Sequence, residues 1–130
     1  MKHVMFAAVA SLAIAAPALA HHSFAAEFDA DKPVTVKGVI TAVRLENPHS
    51  WFFLDVTGAD GKVEKWAFEA STPSSLIRSG FKPGTVKAGD EVTIKGYHAR
   101  DAAANAGAAR ELDMADGRAF AIGPTVGPQR

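Results

Sequence analysis

Between Val34 and Leu45 apolar and polar residues alternate with the period of a half-buried strand, but the phase changes near Gly38. Val34 and Val36 fall on one parity, and Val39, Val43 and Leu45 on the other. A glycine at a phase slip predicts a β-bulge there, and a long first strand coiled around it suits a small closed barrel. Asn47-Pro48-His49 interrupts the pattern, because proline lacks a donor and restricts the residue before it. Trp51 to Val56 then reads as a second strand, Ala59-Asp60-Gly61-Lys62 as a hairpin turn, and residues 63–70 as the return strand, with Trp66, Phe68 and Ala70 on one face.

Beyond this meander the pattern changes. Ser71-Thr72-Pro73, running through Ser79 to Gly80, has a capping hydroxyl, a proline at the first helical position and a terminating glycine, which predicts a short helix. Its Leu76 and Ile77 are expected to plug one end of the barrel. Residues 91–98 form a fourth strand with Val92 and Ile94 inward, residues 109–114 a fifth, and residues 118–122 a last short one after an Asp116-Gly117 turn. Residues 101–107, rich in alanine and glycine, read as a flexible loop, with an Ala-rich helical turn as the alternative. The order β-β-β-α-β-β predicts an all-β domain with one short helix: a five- to six-stranded OB-like Greek-key barrel over residues 34–122.

The two ends of the chain read differently. Residues 1–20 carry Lys2 and His3, then an uncharged run from Val4 to Ala16, then Pro17-Ala18-Leu19-Ala20, the pattern of a secretory signal peptide cleaved after Ala20. The run is shorter than the roughly 20 residues needed to span a bilayer, so stable membrane insertion is not expected after cleavage. The expected location is periplasmic or secreted. Residues 21–33 form an N-terminal strap, and residues 123–130, with two prolines and two glycines, a disordered tail.

Cleavage leaves 110 of the 130 residues, enough for one modest core. These carry 13 basic and 14 acidic residues with no basic run, which argues against nucleic acid and anionic membranes as partners. The chain has no cysteine, so disulfides, thiol chemistry and zinc-thiolate sites are excluded.

Four histidines would survive cleavage: His21, His22, His49 and His98. Cutting after Ala20 makes His21 the first residue, whose free amine and ring Nδ1 can chelate one ion. A third nitrogen would complete a T-shaped set that suits copper(II). With an ordinary pKa of about 7.7 to 8.0, the amine loses its proton to such an ion near neutrality. His22 offers a second mode, through the amine, the intervening amide and its own imidazole. His49, held in the Asn47-Pro48 loop, is the third ligand to expect, unless it only satisfies a hydrogen bond in its turn. His98 reads as a strand-end residue. Phe24 and Phe28, four apart, place both rings on one side of a helical turn and are expected to pin the strap to the barrel.

Trp51, Phe53, Trp66, Phe68 and Tyr97 offer either core packing or an aromatic platform for a glycan or peptide, with Trp51, Trp66 and Tyr97 as candidate ligand contacts. No nucleophile elbow, His-Glu-x-x-His, phosphate loop or dinucleotide fingerprint is present, so a non-enzymatic module is expected.

His21-His22-Ser23-Phe24 with Glu27-Phe28-Asp29, Asn47-Pro48-His49-x-Trp51, Trp66-x-x-Glu69, Pro73-x-x-Leu76-x-Arg78-x-Gly80 and Asp116-Gly117-Arg118 together resemble an uncharacterised family of small exported bacterial proteins. The resemblance implies export and an OB-like barrel and carries over no catalytic residues. The family's recurring histidines point to metal binding. The first expectation is a periplasmic module binding copper or a similar metal ion through His21, His22 and His49. The second is an OB-type envelope protein that binds a glycan or peptide without metal, and the third is an envelope-stress or structural role, with another envelope protein as partner and no small ligand.

Overall fold

A computed structural model describes residues 24–124. The signal-peptide reading, His21, His22 and residues 125–130 of the expected tail lie outside the described residues. Elements run in the order α1 (Phe24–Glu27), β1 (Phe28–Arg44), β2 (Trp51–Thr57), β3 (Val63–Glu69), α2 (Pro73–Arg78), β4 (Glu91–Ala99), β5 (Ala106–Met114) and β6 (Ala119–Ala121).

One sheet holds all six strands in the order β3-β2-β1-β4-β5-β6, and a parallel pairing of β3 with β5 closes it into a ring. The long β1 makes closure possible: residues 33–39 pair with β4, and residues 39–44 pair with β2 on the other edge. One edge of β5 is shared in the same way, Ala106 to Ala108 facing β3 and Glu111 to Asp113 facing β6. With a helix between β3 and β4, this is the OB-type barrel expected from the sequence.

Inside, Phe52, Leu54, Phe68, Ile40, Val92, Ile94 and Leu112 are buried from their respective strands. Phe81 and Leu76 close one end, the Phe81 ring meeting Phe52 edge-on at 5.6 Å and Phe120 at 5.6 Å. A phenylalanine buried this completely contributes about 1.5–3 kcal/mol. These aromatics hold a cysteine-free domain together.

Several expectations need correction. The bulge in β1 lies between Ile40 and Ala42, where Thr41 is the extra residue, and not at Gly38. Val36, Gly38 and Ile40 share the buried face, Val43 and Leu45 pack against the core after the slip, and Val39 is exposed. Gly38 is needed for close approach instead, since a Cβ there would lie 2.6 Å from the Asp55 carbonyl oxygen. α2 forms as predicted, with the Thr72 hydroxyl accepting from the Ser75 N–H and Pro73 opening the helix. Only Leu76 plugs the barrel, however; Ile77 is 53 % exposed. The segment read as a loop through Gly107 becomes strand at Ala106.

One buried group is orphaned. The Ser50 hydroxyl is fully buried without a hydrogen-bond partner among the described residues. Because an unsatisfied buried hydroxyl is costly, Ser50→Ala is expected to leave stability unchanged or to raise it by about 1 kcal/mol, read from the denaturant midpoint.

Candidate functional site

The barrel exterior carries an ordered row of residues across five strands. On β2, burial of Phe52 and Leu54 turns Trp51, Phe53 and Asp55 outward, and on β3 burial of Phe68 and Ala70 turns Ala67 and Glu69 outward. Cross-strand partners then line up without a gap. Tyr97 faces Ala108, Ala108 faces Glu69, Glu69 faces Trp51, and Trp51 faces Arg44.

His49 sits over the middle of this row. The Asn47–Pro48 peptide before it is cis, and Ser50 after it is held on both sides, its N–H donating to the Ser71 carbonyl at 3.0 Å and its carbonyl accepting from the Ala70 N–H at 2.8 Å. That clamp brings His49 to Glu69, whose Oε1 pairs with the imidazole Nδ1. The histidine side chain is 47 % exposed and the carboxylate 14 %. Burial pushes the Glu69 carboxyl above the usual range, His49 opposes this, and the negative charge of Glu27 adds to the rise.

The influence of Glu27 reflects where α1 lies. Phe24 meets Tyr97 edge-on at 5.9 Å and Phe28 at 5.4 Å, in agreement with the expectation that these rings pin the segment. Arg100 secures the backbone: its N–H donates to the Glu27 carbonyl at 2.9 Å, and its guanidinium Nε donates to the Ala25 carbonyl. The segment that follows His21 and His22 is therefore bolted to the Tyr97 end of the row, with His49 and Glu69 two strands away.

The aromatic candidates divide between faces. Trp51 and Tyr97 belong to the outer row, Trp51 stacking on Phe53 at 6.4 Å and Arg44 lying 5.2 Å from the Phe53 ring centre. Trp66 points the other way, stacking on the buried Phe68 at 5.7 Å and meeting His98 edge-on. A single platform of all five rings is thus ruled out by strand parity. The His98 Nδ1–H donates to the Ala99 carbonyl at 2.7 Å, in keeping with its reading as a strand-end residue.

Among the described residues no three histidine, aspartate or glutamate side chains come together as a metal-holding group. Nor is any helix among the described residues long and apolar enough to cross a membrane. Glu69, singled out by sequence only within the Trp66-x-x-Glu69 motif, is the partner sequence reasoning missed. The observed hairpin register, in which Thr57 faces Val63, sets it opposite Trp51, two residues past His49.

No curated protein and no solved structure matches this chain. A family model does match over residues 8–108, which places the chain in the family of unknown function DUF6152.

Proposed function

We propose that the protein is exported, loses its leader after Ala20, and serves as a non-enzymatic periplasmic module that binds copper(II) or an ion of similar preference. The donors are the amine and imidazole of the new N-terminal His21 together with His49, and His22 supplies the alternative set. The observation that carries this reading is the pairing of Glu69 with His49 Nδ1. A carboxylate on one ring nitrogen fixes the tautomer, orients the ring and leaves Nε2 with its lone pair available, as in carboxylate–histidine–metal triads.

Reach supports the same reading. Two inter-strand steps separate Tyr97 from Glu69, about 10 Å at ordinary strand spacing. Three residue-to-residue steps lead from His21 to the anchored Phe24, and an extended chain of that length spans about 10 Å.

Copper(II) titration of processed protein tests the role of His49. His49→Ala is expected to weaken binding strongly, and Glu69→Ala by about 10–100-fold, the usual loss when a ligand's orienting carboxylate is removed. His98→Ala should leave affinity unchanged. Wild-type affinity in His49→Ala would sink the assignment.

A second reading, stacking of a glycan or peptide, is favoured by the half-buried Trp51–Phe53 pair on the outer face with Arg44 beside it. It predicts a Trp51 fluorescence response to an oligosaccharide that survives replacement of every histidine.

A further inference from the structure

A cleft of about 360 Å³ opens between α2 and the end of the barrel where β5 meets β6, and its Ser71 and Ser75 also line a smaller hollow beside His49. Its lining includes two arginines, Arg78 and Arg110, and three serines, Ser71, Ser75 and Ser79, the last with its hydroxyl turned to the Leu76 and Ala121 carbonyls. No acidic side chain lines it. We propose that this cleft binds a small organic molecule through an oxyanion group, a phosphate or a carboxylate, held between Arg78 and Arg110.

Both arginines are placed in ways that solvent exposure alone does not explain. Arg110 is the extra residue of a second bulge: Lys95 pairs with Glu111 while Gly96 pairs with Ala109. A bulge re-aims the side chain it carries. Here the Arg110 chain runs beside Gly123, where a Cβ would lie 3.1 Å from its Cδ, so the glycine leaves the passage open. Arg78 is steadied from the opposite wall by the Ser75 hydroxyl, which accepts from Nη2 at 3.2 Å.

Among the described residues neither guanidinium meets a carboxylate, which they share with Arg44, Lys62, Lys82 and Arg100. Ser71, on the cleft wall, is 9 % exposed. Guanidinium forks match the two-oxygen edge of a phosphate or carboxylate, and such bonds strengthen where water is partly excluded. The volume falls at the lower end of the range for small-molecule sites and exceeds what a bare inorganic ion fills.

The site is independent of the metal reading, and the test keeps them apart by using full-length protein in chelator-treated, metal-free buffer. Methyl phosphate and acetate are titrated separately and followed by amide and arginine Nε–H shifts in NMR spectra. Saturable shifts of Ser71, Ser75, Ser79 and both arginine Nε–H groups are expected with at least one probe, and the stronger probe identifies the oxyanion class. Arg78→Gln and Arg110→Gln should each weaken that probe at least 10-fold, and Arg110→Lys should recover only part of the loss. Arg78 is exposed, so its replacement leaves the fold intact and keeps the result interpretable. Linear, non-saturating shifts with both probes, or unchanged affinity in Arg78→Gln, would overturn the proposal.

Discussion

Alanine at position 96 is expected to prevent the barrel from closing, with a loss of more than about 3 kcal/mol and no recovery of a native spectrum at low denaturant. A Cβ at Gly96 would lie 1.9 Å from the Ala108 carbonyl oxygen and 2.9 Å from its carbon, both backbone atoms. No side-chain rotation relieves that contact. β5 would have to move away from β4 at the point where it also begins its pairing with β3, so one methyl group threatens both seams of the ring. Whole-domain stability is about 5–15 kcal/mol, so such a loss consumes much of it. Gly61→Ala is the useful contrast, with open space around the new Cβ and a φ of +80°, and should cost only about 1 kcal/mol. Equal denaturant midpoints for the two variants would contradict the packing described for β4 and β5.

An N-terminal acetyl group on His21 in otherwise processed protein is expected to lower copper(II) affinity by at least about 100-fold, equivalent to about 2.8 kcal/mol. The acetyl group converts the His21 amine into an amide, which is a poor donor at neutral pH, and so opens the six-membered ring that the amine and its own imidazole close around one ion. Every contact from Phe24 to Gly123 is untouched, so thermal unfolding of the metal-free forms should coincide. Competition against a chelator of known affinity reads the difference. Equal affinities would remove the amine from the site.

The β2–β3 hairpin and the capped helix were legible because local chemistry dictates them: alternating apolar residues around an Asp-Gly turn, then Thr72-Pro73 and a terminal glycine. The bulge in β1 was misplaced because glycine drew attention to position 38, while Ile40 continues the parity of Val36 and the slip comes at Thr41. The start of β5 was hidden for a tertiary reason. Gly107 lies against the Phe68 ring, and a Cβ there would come within 2.9 Å of it and 2.5 Å of the Tyr97 carbonyl oxygen. Only very small residues fit that parallel seam, and a run of them reads as a loop. Ile77 was misassigned because a six-residue helix is too short for its periodicity to separate two adjacent apolar positions.

The candidate site shows the same division. His49 stood out as a histidine in a proline-kinked loop, and its pairing with Glu69 follows from hairpin register. The Arg78–Arg110 cleft could not be read in advance, since those residues are far apart in sequence and meet only through the bulge in β5.

The decisive measurement is an atomic structure, loaded with copper(II), of the protein beginning at His21. The His21 amine, the His21 imidazole and His49 Nε2 should each lie about 2.0–2.1 Å from one ion, with Glu69 still on His49 Nδ1. An ion bound elsewhere, or a His49 ring beyond side-chain reach of the amine, would contradict the proposed centre.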